Sequence, residues 1–180
     1  MSTFSLVADA ALLSAGLLVA RIVLGLLMAA HGSQKLFGWF GGYGLAGTGG
    51  FFESLGFRPG RTFAAAAGLA EFVSGLLIAT GFLGPVGPAI MLSVMIVAAV
   101  SVHLQHGVFA SANGIEVPLL YGVGASALAL TGPGLYSLDA LLGITTLWTP
   151  VLVLATLAAG IAGGIANLVL RRQAPAARPA

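Results

Sequence analysis

The chain contains no cysteine. Thiol redox chemistry and disulfides within it are therefore excluded, as are cysteine-ligated zinc and iron–sulfur centres. Charge is nearly as scarce. Seven Lys and Arg and five Asp and Glu make up 7% of 180 residues. A soluble domain carries about 25% charged residues, so this composition belongs to an integral membrane protein. No basic cluster suited to nucleic acid is present. With so few charges, the net +2 and the pI near 9.5 say little about partners. A nucleotide cradle is not expected: no Walker loop occurs, and Gly41-Gly42-Tyr43-Gly44 follows no strand. No nucleophile-elbow motif frames the serines. The only charge before Arg21 is Asp9. A secretory signal would begin with positive charge, so the first apolar run is expected to be a retained helix.

What the chain has is apolar length: 58% hydrophobic residues and a mean hydropathy of +1.06. A spanning helix needs roughly 20 apolar residues. Leu12–Ser33, Phe63–Phe82, Val86–Leu104 and Leu147–Leu170 qualify. Pro118–Thr131 is shorter, with room to extend back through Glu116, and is read as a short span carrying Pro118 in its first turn, where proline is tolerated. Lys35–Thr62 reads as a long Gly-rich connection whose Phe51–Leu55 stretch, with Trp39, Phe40 and Tyr43, suits the membrane interface. The expectation is an all-α polytopic bundle of four helices in residues 1–145, a fifth transmembrane helix in 146–170, and a disordered basic tail in 171–180. With five spans, Lys35, Arg58, Arg61, Arg171, Arg172 and Arg178 all fall on one side. The positive-inside rule makes that side cytoplasmic and the N-terminus external.

Two charges fall inside apolar runs. Arg21 is ten positions into the first and Glu71 nine into the second, each roughly 13–15 Å from its start. Unpaired charge at mid-bilayer costs about 2.5–3.5 kcal/mol on insertion scales, so the two are expected to pair. Such a pair either fixes helix packing or faces a bound molecule. Arg21 and Lys35 are fourteen residues apart, close to a whole number of turns, and so face one way. The topology also brings His31, Lys35, His103, His106 and Glu116 to one level. Histidine there could bond a quinone oxygen, shuttle protons, or simply hold backbone or lipid headgroups. Three His with a carboxylate could ligate a metal, but the spacing matches no metal motif, and no metal site is assigned. Gly160 and Gly164 form a GxxxG in the last run, a packing signal for close helix approach.

These residues, in order, resemble the DoxX family of small bacterial membrane proteins from about Arg21 to Leu142. The carriers are Arg21, the run His31-Gly32-Ser33-Gln34-Lys35-Leu36-Phe37-Gly38, and Gly68-Leu69-Ala70-Glu71. His103, Glu116-Val117-Pro118-Leu119-Leu120-Tyr121, and Gly132-Pro133-Gly134-Leu135-Tyr136-Ser137-Leu138-Asp139 complete the set. The resemblance implies a four-helix membrane core in a bacterial inner membrane and a link to redox physiology. Relatives include the quinone-reducing subunit of a thiosulfate oxidoreductase and a partner in a membrane oxidoreductase complex.

Three readings follow. In the first, the chain is a quinone-linked oxidoreductase component. Arg21, His31, Lys35, Glu71, His103, Glu116 and Tyr121 would then form the binding site, with Glu71, His31 and His103 as candidate proton-handling residues. No residue is suited to hold an electron-carrying metal, so electrons come from a bound cofactor or a partner. In the second, it is a non-catalytic accessory subunit of a larger membrane complex, or a homo-oligomer, docking through its fifth span. In the third, it carries a small molecule or lipid, although no inverted repeat of the kind common in transporters is evident.

Overall fold

A computed structural model describes residues 3–171, with side chains from residue 8 onward. The basic tail expected at 171–180 therefore lies outside the described residues, except for Arg171. Among the described residues the chain is all helical, without strands. The long helices are α1 (Thr3–Phe37), α3 (Gly60–Thr80), α4 (Val86–Ala98), α5 (Glu116–Thr131) and α7 (Pro150–Val169); two shorter ones are α2 (Gly44–Ser54) and α6 (Leu138–Leu141). Among the described residues four stretches are long and apolar enough to span: Ala8–Phe37, Gly60–Thr80, Val86–His106 and Pro150–Val169. Helix α5 is a shorter apolar helix that starts at Glu116, with Pro118 in its first turn.

Close backbone approach organises the bundle. Helix α1 runs along α3, and small residues let the two touch. A Cβ added to Gly25 would lie 2.5 Å from the Gly75 carbonyl oxygen, and one on Gly32 would lie 2.5 Å from the Phe72 nitrogen. These contacts fix the antiparallel register, in which Gly25 meets Gly75 and Ala79, and Gly32 meets Gly68 and Phe72. Helices α3, α4 and α5 follow as neighbours. Met28, Ile78, Met91, Met95, Tyr121, Ala125 and Leu128 form the core between them. Methionine suits such a site because its flexible thioether fills irregular gaps.

Three elements differ from the sequence expectation. The connection after Lys35 contains α2, which packs against α3. Four glycines within Gly44–Ser54 hide it, because glycine costs about 1 kcal/mol in a helix interior. The third span does not end as α-helix. It widens into a π-helical turn at Ala99–His103 and tightens into a 3-10 turn at Leu104–His106. The last helix starts at Pro150, with the Thr149 side chain accepting from the Leu152 N–H at 3.4 Å. Its GxxxG is used within the chain. Gly160 lies against the Ala89 backbone and Gly164 against the Ser93 carbonyl, so this surface holds α7 on α4.

Candidate functional site

A cavity of about 560 Å³ opens at the Lys35 end of the bundle. Helix α4 forms its back, α3 and α7 its walls, and α2 with the following turn one end. Its surface is mainly apolar: Phe51, Phe52, Phe57 and Phe63 supply aromatic faces, and Ile90, Val94 and Val97 an aliphatic one. The volume lies within the roughly 300–1,000 Å³ of small-molecule sites, which are typically apolar with a few placed polar groups.

The principal polar group is an ion pair. Lys35 Nζ donates to Glu71 Oε1 at 2.7 Å and to Oε2 at 2.6 Å. The Glu71 side chain is 4% exposed and that of Lys35 is 24% exposed. Glycine permits the meeting, since a Cβ on Gly68 would lie 3.1 Å from Lys35 Cβ. The pair has no net charge. Lys35 spends at least two of its three N–H donors on the carboxylate.

His103 also lines the cavity, at its rim. Its Nδ1 lies 2.8 Å from the Asn113 carbonyl oxygen. A carbonyl can only accept, so Nδ1 carries a proton and Nε2 is the ring nitrogen left for another partner.

Arg21 does not pair with Glu71. It faces α3 as the fourteen-residue spacing from Lys35 expects, but opposite Gly81, ten residues beyond Glu71. At 1.5 Å per residue the two expected partners are offset by about 15 Å. Depth counted from the edges of apolar runs misplaced them. Helix α1 continues to Phe37 and α3 starts at Gly60, and the glycine contacts then set the register. Lys35 is therefore the cation that reaches Glu71.

Arg21 is buried in a second polar corner at the opposite end. Its guanidinium donates to the Tyr136 carbonyl, fits over Gly81 where a Cβ would collide with it, and feels the charge of Asp139. Asp139 is fully buried. Its carboxylate accepts from the Leu83 N–H at 2.9 Å, the Gly84 N–H at 2.7 Å and the Trp148 indole at 2.7 Å. Leu83 and Gly84 both have positive φ, 59° and 46°. That conformation aims successive N–H groups at one anion. The corner thus ties the α3–α4 turn to the segment that leads into α7.

The other expected residues do not line the cavity. His31 packs edge-on against Tyr121, with ring centroids 5.9 Å apart, and its Nδ1 lies 3.2 Å from the Gln34 side-chain oxygen. Glu116 accepts from the Ala110 N–H at 2.7 Å and closes its own loop. His106 bonds the Val102 carbonyl at 2.8 Å. Each histidine is held by a local partner, and of His31, Lys35, His103, His106 and Glu116 only Lys35 and His103 line the cavity. Among the described residues no three of His, Asp and Glu are grouped to hold a metal ion.

Sequence reasoning missed Ser101 and the aromatic contribution of α2. Ser101 lines the cavity and is 5% exposed, and its hydroxyl has no hydrogen-bond partner among the described residues. A serine in an apolar run carries no signal of this kind, since most such hydroxyls bond their own helix.

Residues 16–104 match the DoxX family model. That stretch contains Arg21, His31, Lys35, Glu71, Ser101 and His103. No curated protein and no solved structure matches the chain.

Proposed function

We propose that this chain, which belongs to the DoxX family, holds the head of a quinone or a similar lipophilic molecule in the Lys35–Glu71 cavity, as a redox-associated protein of the bacterial inner membrane. The observation that carries the reading is a charge-neutral ion pair set in an apolar, aromatic-lined cavity of lipophile size. Ionisable residues within spans mark functional pathways by default. Here the pair offers donors and acceptors to a polar head while aromatic and aliphatic walls take the rest. His103 stands at the rim with Nε2 left for another partner. Electrons would come from a partner or a bound cofactor, since no residue here is suited to carry them. Lys35 lies at the end that the positive-inside rule makes cytoplasmic.

Within this reading the additional helix has a defined task. Thr156, Ala159, Gly160 and Asn167 of α7 line the cavity. Without them its α4 wall would lie open. The GxxxG surface of α7 packs on α4 within the chain.

The test is to purify the protein in mild detergent, extract it with organic solvent, and identify bound lipophiles by mass spectrometry. Stoichiometric quinone, or saturable binding of added quinone that Glu71→Gln weakens, supports the reading. Quinone-free protein that also fails to bind added quinone refutes it.

A further inference from the structure

Among the described residues lining the cavity, the Ser101 hydroxyl is buried and has no hydrogen-bond partner. Several other helical hydroxyls bond a carbonyl of their own turn: Ser33 to Ala29 at 2.8 Å, Ser126 to Gly122 at 2.8 Å, Thr156 to Leu152 at 2.7 Å. Ser101 is as deeply buried but makes no such bond. It sits in the π-helical turn Ala99–His103, where the wider winding shifts the carbonyl that a serine ordinarily reaches four residues back. An unsatisfied buried hydroxyl costs about 1–3 kcal/mol. Single π turns occur frequently at functional sites. This one places the unspent hydroxyl on the wall of the cavity that also holds Lys35 and Glu71.

We propose that Ser101 is a second anchor for the ligand head, and that this head is uncharged and carries oxygen. The inference rests on the reading of the cavity as a ligand site and narrows its chemistry. Lys35 and Glu71 cancel each other's charge and leave Lys35 at most one N–H donor to spare. An anionic head would meet Glu71 and a cationic head would meet Lys35, each in surroundings too apolar to screen the repulsion. A neutral oxygen meets neither penalty. It accepts from Lys35 or exchanges a hydrogen bond with Ser101, and a head with two oxygens engages both. Two sources share this chemistry: the carbonyls of a quinone and the hydroxyl of a neutral long-chain alcohol.

The experiment measures binding of a short-tailed 1,4-quinone and of a long-chain alcohol to the full-length protein and to Ser101→Ala and Ser101→Thr, each in detergent and checked for unchanged melting temperature. An oxygen-free hydrocarbon analogue of the quinone serves as control. The expected result is quinone affinity reduced on the order of fivefold in Ser101→Ala, recovery in Ser101→Thr, and no change for the hydrocarbon. One infrared carbonyl band of bound quinone should shift back toward its free frequency in Ser101→Ala. Alcohol binding that Ser101→Ala weakens, without quinone binding, upholds the anchor and refutes the quinone reading. Wild-type affinity for quinone in Ser101→Ala refutes the anchor and leaves the cavity reading standing. Tighter binding of a fatty-acid anion or an alkylammonium of equal chain length than of either neutral probe refutes the uncharged head.

Discussion

Breaking the Lys35–Glu71 pair from its two sides should have unequal effects. Lys35→Met leaves Glu71, 4% exposed, without its cation; Glu71→Gln leaves Lys35, 24% exposed and two residues from the end of α1. Removing one partner of a buried pair costs about 3–5 kcal/mol because the survivor is an uncompensated charge. Glu71 is short and enclosed, so Lys35→Met should cost near the lower end of that range, about 3 kcal/mol. Lysine can swing its ammonium toward the interface, so Glu71→Gln should cost about 1 kcal/mol. The double change Lys35→Met with Glu71→Leu removes both charges, and apolar replacement of a buried pair is often neutral. At roughly 2–4 °C per kcal/mol for a chain of this size, the melting temperature should fall by roughly 6–12 °C for Lys35→Met and by roughly 2–4 °C for Glu71→Gln. It should return close to wild type in the double variant. Intrinsic Trp39 and Trp148 fluorescence follows the transition without a label. Equal losses from the two single changes, or a double variant as weak as Lys35→Met, would refute the reasoning.

The remaining predictions concern other parts of the frame. Asp139→Ala removes the acceptor for Leu83, Gly84 and Trp148; it should cost about 2–4 kcal/mol, with a shift in tryptophan emission as the indole loses its partner. Gly160→Leu drives a side chain into the Ala89 backbone, so it should detach α7 from α4, abolish cavity binding and expose α7 to limited proteolysis, while Gly50→Ala, at a site with open space, should do neither. Gly75→Leu collides with the backbone of Gly25 and Ala29 and should abolish folded yield, because no alternative register of α1 on α3 keeps both Lys35 with Glu71 and Arg21 over Gly81.

The long helices were legible because their signal is local. Apolar runs of spanning length, and Pro118 near the start of α5, declare themselves one segment at a time. Helix α2 was not legible, since its glycines argue against a helix and only packing against α3 stabilises it. The candidate site was legible in part. Lys35, Glu71 and His103 stood out as polar groups in or beside apolar runs, and they are the three expected residues that line the cavity. Ser101 was invisible because its meaning depends on the width of one helical turn.

The sequence alone pointed to an all-helical bundle in a lipid bilayer, because 7% charge and 58% hydrophobic residues are gathered in runs of spanning length and backbone groups in lipid must be satisfied internally, as a helix does. It also determined that the few buried charges must find partners, since the cost of leaving them alone is intrinsic to the charge. Which partners they find was decided by tertiary structure. Close contacts such as Gly25 on Gly75 set the vertical register of α1 against α3, bringing Lys35 rather than Arg21 to Glu71. Gly160 and Gly164 likewise seat α7 on α4, and that contact between two distant segments completes the cavity. Register and enclosure arise from surfaces meeting across the bundle, and no single segment encodes them.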